Sequence, residues 1–193
     1  MGPPPLRMVI EAGLRGAAIL ARGQPHGLML IEDTPAGVAR SFWAAAVCLP
    51  AFLALRLLSW SEDAGPGAAP AASLLVELIG YACAWAGFAL ASLPLARALG
   101  REAAWPHFVA AWNWANVVQY AVVLALALPA ALGLPASVAQ GLGLAALGYA
   151  MWLEWFVAKA ALRIGGGQAA GFVAIDLAIG IVVSGMVARL SGG

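Results

Sequence analysis

Polar and charged residues in this chain fall into short clusters, and between the clusters lie five stretches that are almost wholly apolar. They cover about 42–58, 73–96, 106–128, 137–162 and 168–188, and helices of these lengths, rising 1.5 Å per residue, cross a hydrocarbon core of roughly 30 Å. Turn chemistry separates them. Thr34-Pro35 reads as an N-cap followed by proline at the first helical position, with Glu32 and Asp33 beside the positive end of the dipole. Glu77 interrupts the second stretch, and Pro94 ends it. Pro129 and Pro135 bracket an uncharged turn that divides the apolar run from Val109 to Ala158, and Gly165-Gly166-Gly167 predicts a tight bend. Trp43 and Trp60 stand where the two interfaces of the first crossing fall.

The N-terminal region has a different period. From Leu6 to Arg22 the charged residues Arg7, Glu11, Arg15 and Arg22 fall on one side of a helix, with Val9, Ala12, Ile19 and Leu20 away from them. Arg7–Glu11 and Glu11–Arg15 are four residues apart and support such a helix. It lies either in the membrane interface or against the protein's own cytoplasmic ends. Gly23 to Asp33 follows as a linker, with turn chemistry at Gln24-Pro25-His26-Gly27 and an apolar patch at Leu28 to Ile31. The expected fold is all-α: a polytopic membrane bundle of five transmembrane helices preceded by an amphipathic interfacial helix. Residues 1–40 form the cytoplasmic helix and linker, and residues 41–193 the transmembrane domain. The first long apolar stretch begins too late for a signal peptide, and Met1-Gly2 lacks the Ser or Thr that N-myristoylation needs.

Composition agrees with a membrane protein. Of 193 residues, 63% are hydrophobic and 10% charged, with a mean hydropathy of +0.90; soluble domains run at about 45–50% apolar and about 25% charged. A net charge of +1 points to no nucleic acid. Every basic residue except Lys159 is Arg, and Ala and Gly abound, the composition of a GC-rich bacterial genome. Five crossings put the termini on opposite sides. Arg7, Arg15, Arg22, Arg40, Arg97, Arg101, Lys159 and Arg163 then share one face, while the other receives Arg56 and Arg189, and its loops carry Glu62 and Asp63 with no base. By the positive-inside rule the N-terminus is cytoplasmic and the C-terminus external, in a bacterial inner membrane. Cys48 and Cys83 sit in apolar runs as small hydrophobes. His26 and His107 are far apart with no ligand partner at metal spacing, so no metal is expected. No nucleophile elbow, zinc-protease helix, phosphate loop or dinucleotide glycine pattern is present, so neither an enzyme nor a cofactor is expected.

The candidate chemistry lies inside the crossings. Between Phe108 and Leu128 the only polar groups are Asn113, Asn116, Gln119, the Tyr120 hydroxyl and the indoles of Trp112 and Trp114. The amides and Tyr120 fall within roughly a third of the helix circumference. An unpartnered amide in hydrocarbon costs about 2–7 kcal/mol, so this stripe faces other helices or a wet cavity. At 1.5 Å per residue, Asn113 lies about 12 Å and Asn116 about 16 Å from the cytoplasmic end of the span, Glu154 about 13 Å and Asp176 about 12 Å. These residues and Lys159, one turn nearer the cytoplasm, define an expected intramembrane polar cluster of Asn113, Asn116, Gln119, Glu154, Lys159 and Asp176. Glu154 and Lys159 are five residues apart and point to different sides, which makes Asp176 the expected partner of Lys159. On the outer half, Arg56 and Glu77 lie at matching depths on consecutive helices and predict an ion pair. Gly141, Ala145 and Gly148, and again Gly180, Ser184 and Ala188, recur at three or four residues and predict close helix approach.

A polar N-terminal region of about forty residues, five closely spaced crossings and a near-absent tail resemble the layout of the Yip-type (Ypt-interacting protein) membrane family and its bacterial relatives. Eukaryotic members of that family are associated with membrane traffic and small GTPases, so the resemblance implies a membrane-organising adaptor. It assigns no role to any residue here. The run Trp112-Asn113-Trp114-Ala115-Asn116 also looks like small membrane proteins of alphaproteobacteria. Two functional classes follow. The first is a non-catalytic membrane scaffold or interaction partner, in contact with the bilayer and with another membrane protein or a second copy of itself. The second is a small transporter or proton-conducting protein that uses Glu154 and Asp176.

Overall fold

The computed structural model describes residues 5–62 and 70–191; Met1-Gly2 and Asp63, with the glycine- and proline-containing stretch after it, lie outside the described residues. The elements are helical throughout: α1 (Leu6–Leu20), a 3-10 helix (Pro25–Leu30), α2 (Pro35–Ser41), α3 (Trp43–Glu62), α4 (Pro70–Ala98), a 3-10 turn (Glu102–Ala104), α5 (Trp105–Ala131), α6 (Ala136–Leu162) and α7 (Gly166–Ser191). Five segments are long and apolar enough to cross a membrane: Pro35–Trp60, Pro70–Ala98, Glu102–Ala131, Ala136–Leu162 and Gly166–Ser191. Each overlaps one of the five predicted stretches and runs past it, α4 continuing through Pro94 to Ala98 and α5 through Pro129 to Ala131. Helical hydrogen bonding carries each a few residues into its polar flanks.

The predicted N-cap forms, with Thr34 Oγ1 accepting from the Gly37 N–H at 3.0 Å. The first crossing nevertheless breaks into α2 and α3 at Ser41 and Phe42. The Ser41 hydroxyl donates to the Val38 carbonyl at 2.7 Å and competes with the helix ladder there. The bend between α6 and α7 also differs from its prediction. Arg163, not a glycine, takes the left-handed conformation that ends α6, at φ 53°. Gly165 and Gly166 serve the turn through their backbone: Gly165 N–H donates to Gln168 Oε1 at 3.0 Å, and the Gly166 carbonyl accepts from Trp155 Nε1 at 2.8 Å.

α5 is the central helix, packed by α1, α2, α3 and α6, while α4 and α7 form a pair beside it. Its first half is buried without interruption from Phe108 to Ala115. That is so because α1, the 3-10 helix and α2 all gather at that end of the bundle. α1 seats Val9, Gly13, Ala17 and Leu20 inward and leaves Arg7, Glu11 and Arg15 exposed. Gly13 is required here, since a Cβ at that position would lie 2.3 Å from the Trp114 ring. Tyr149 Oη donates to the Ala21 carbonyl at 3.0 Å, and His107 Nε2 lies 3.0 Å from the Leu28 carbonyl, tying the N-terminal layer to α6 and α5. Of the two expected charge pairs on α1, Arg7–Glu11 forms at 2.8 Å.

Below this layer lies an aromatic stack. Phe88 and Trp112 stack at 4.3 Å with their planes 29° apart, with Phe108 against Phe172 at 5.1 Å and Trp85 against Trp112 at 5.4 Å. The opposite end is looser, and its large apolar side chains, among them Leu132, Leu144, Ile181, Met186 and Leu190, are exposed. In water such a surface is unfavourable, whereas in lipid it is not. The predicted small-residue stripes do not make the close contacts. A Cβ at Gly141, Gly148 or Gly180 would meet nothing within 4 Å, and Ala145, Ser184 and Ala188 are exposed. Close approach of α4 and α7 is made instead by Gly80, where a Cβ would lie 2.6 Å from Val187. A small residue permits an approach, but a bulky partner opposite it decides whether one occurs.

Candidate functional site

The six predicted polar residues do not form one assembly. Asn113 is fully buried and donates through Nδ2 to Ser41 Oγ at 2.7 Å, joining α5 to the break between α2 and α3. Gln119, two turns on, faces another helix and donates to the Ala150 carbonyl of α6 at 3.0 Å. Asn116 donates to the Trp112 carbonyl of its own helix at 3.0 Å and lines a cavity beside α7. The stripe therefore fans out: a helix at the centre of a bundle meets a different neighbour every 60° or so, and a third of its circumference spans more than one. Two of the three amides join helices across the bundle.

Lys159 is outside the cluster, which corrects its predicted partnership. It is exposed, with Nζ 4.9 Å from the centre of the Trp155 ring, and none of the ion pairs among the described residues includes it. Asp176, half-buried on α7, is instead the charged neighbour of Glu154, near enough for the two carboxylates to repel each other. The difference of five residues along α6 explains this outcome. Glu154 points into the bundle at 5% exposure, and Lys159, rotated well away, reaches the rim and snorkels. Glu154 Oε1 is buried and has no hydrogen-bond partner among the described residues.

The predicted Arg56–Glu77 pair is present, with Nε 3.0 Å from the carboxylate, and links α3 to α4. It lines a cavity of about 140 Å³ with Tyr81, Tyr120, Gly180 and Ser184. A second cavity of about 140 Å³ is lined by Ala84, Trp85, Trp112, Asn116, Tyr120, Asp176 and Gly180. The two share Ala84, Tyr120 and Gly180 as walls. The Arg56–Glu77 pair thus borders one cavity and Asp176 the adjoining one. The indole N–H of Trp112, which is 3% exposed, has no partner among the described residues.

Several buried or half-buried contacts were not anticipated from sequence. Ser41 is the acceptor that Asn113 needs, Glu32 pairs with Arg40 across the N-cap of α2, and Tyr81 Oη donates to the Ala45 carbonyl at 2.7 Å. Isolated hydroxyls inside apolar runs were the available signal, since a buried hydroxyl requires a partner. Among the described residues no three His, Cys, Asp or Glu side chains converge on a metal-sized space. Comparison with family models, with curated proteins and with solved structures finds no match to this chain.

Proposed function

We propose that the protein is a multi-pass protein of the bacterial inner membrane, with five crossings, a cytoplasmic N-terminus and an external C-terminus, acting as a non-catalytic scaffold or interaction partner. The observation that carries this reading is the layer of α1, the 3-10 helix and α2, seated on the most tightly packed end of the bundle with its charged side outward. The apolar side of α1 rests on α5, so the helix holds a fixed position and offers Arg7, Glu11, Arg15 and Arg22 to a partner or to anionic headgroups. Most intramembrane polar contacts tie helices together, as Asn113–Ser41, Gln119–Ala150 and Tyr81–Ala45 do, which is the pattern of a structural bundle. The layout shared with Yip-type proteins supports an adaptor role.

The test is affinity purification from native membranes of the wild type and of a variant with Arg7→Glu and Arg15→Glu. A stoichiometric membrane partner that the variant loses is expected. Equal recovery by both proteins, or none by the wild type, removes the adaptor reading. Reporter fusions at the two ends test the crossing number independently, with both ends in one compartment being the adverse result.

A second reading, a small transporter or proton-conducting protein, is favoured by one observation. Glu154, buried, and Asp176, half-buried, lie close to each other, and two neighbouring acids are more than packing requires.

A further inference from the structure

We propose that Glu154 and Asp176 hold one exchangeable proton between them and reach water through the paired cavities, from the end of the bundle that carries Arg56 and Glu77 and from that end alone. The inference rests on the acid pair of the second reading but not on net transport.

Three features carry it. Two neighbouring carboxylates at matching depth inside an apolar bundle repel each other unless a cation lies between them, and the proton is the smallest. Lys159, the one ammonium near enough in sequence, is turned to the rim. Polar groups at and near the cavity beside Asp176 are also left unsatisfied by the described residues. Trp112 lines it at 3% exposure with its indole N–H unpartnered, and Glu154, which lies outside the lining, is 5% exposed with Oε1 unpartnered, both among the described residues. A stranded donor on the wall of a cavity that also holds a carboxyl group is what ordered water relieves. A space of about 140 Å³ admits roughly four waters at about 30 Å³ each.

Access is one-sided because of where the aromatic residues fall along the helices. On α4, α5 and α7 the stack of Phe88, Phe108, Trp112 and Phe172 lies between Asp176 and the α1 end, and Phe88, Phe108 and Phe172 are wholly buried. In the other direction the cavity adjoins the second one through Ala84, Tyr120 and Gly180, and that cavity runs to Arg56, Glu77 and Ser184. The charged and titratable groups lining this route are Arg56 from α3, Glu77 and Tyr81 from α4, Tyr120 from α5, and Asp176 from α7; Glu154 from α6 neighbours Asp176 outside the lining. A hydronium ion in the cavity gives its proton to the Asp176 carboxylate and leaves water. The resulting acid shares that proton with the neighbouring Glu154 carboxylate, and the reverse steps release it by the same path.

Two measurements test this. The first is infrared difference spectroscopy of the reconstituted full chain during pH titration. A carboxylic-acid C=O band that shifts in D₂O and is lost in both Glu154→Gln and Asp176→Asn is expected. Persistence of the band in either variant overturns the shared proton, and bleaching of the band by sodium at fixed pH assigns the site to a metal cation instead. The second is labelling of Gly180→Cys in a Cys48→Ala, Cys83→Ala background with a membrane-impermeant thiol reagent. Gly180 lines both cavities and a Cβ there meets nothing within 4 Å, so the fold accommodates the change. Labelling from the Arg56–Glu77 side only, in oriented vesicles, is expected. Labelling from the α1 side, or none before denaturation and full labelling after it, overturns the wet path. Proton flux into liposomes is a separate readout: a hydrated, titrating pair without flux leaves this proposal standing and removes the transport reading.

Discussion

The Asn113–Ser41 contact allows a quantitative test of how the bundle is held at its tightest point. Asn113 is fully buried, its amide N–H donates to Ser41 at 2.7 Å, and its carbonyl oxygen has no partner among the described residues. Ser41→Ala removes the acceptor and leaves the whole amide unsatisfied. Hydrogen bonds between membrane helices couple by about 0.6–1.7 kcal/mol, and stranding a buried polar group costs about 1–3 kcal/mol. We expect Ser41→Ala to destabilise by about 1.5 kcal/mol, roughly a tenfold shift in the folding equilibrium. Asn113→Leu removes the donor together with the already unpaired oxygen. The double variant is therefore expected to be more stable than Ser41→Ala alone, with a coupling near 1 kcal/mol in the double-mutant cycle. Equilibrium unfolding in mixed detergent micelles, followed by tryptophan fluorescence, measures all four proteins. Coupling below about 0.3 kcal/mol, the scatter of independent sites, would refute the reasoning, as would a double variant no more stable than Ser41→Ala.

Other predictions follow from the same geometry. Gly13→Leu drives a side chain into the Trp114 ring and is expected to lift α1 from α5, read as faster proteolysis within residues 6–22 while the rest of the bundle stays intact. Glu77→Ala leaves Arg56 without its partner and should cost about 1.5–3 kcal/mol; in the same unfolding assay, exchange of the two charges should recover part of that loss. Arg163→Gly relieves a left-handed residue that is not glycine and should raise stability by about 1 kcal/mol, seen as a higher melting temperature.

Much of this architecture was written locally. Apolar runs long enough for a bilayer fix the number and approximate extent of the long helices because backbone hydrogen bonding within a helix needs only its own sequence, although Pro94 and Pro129, expected to end two of them, lie inside α4 and α5. The Arg56–Glu77 pair was legible too, since depth along two consecutive antiparallel helices follows from counting residues. Rotation about each helix axis was not legible, because it is set by which neighbour each face meets. The fanning of Asn113, Asn116 and Gln119, the turn of Lys159 to the rim, the meeting of Asp176 with Glu154, and the choice of Gly80 over Gly180 for close approach all depend on that rotation. Sequence determines how far along a helix a group lies; only the packed bundle determines which way it looks, since that direction belongs to several helices at once.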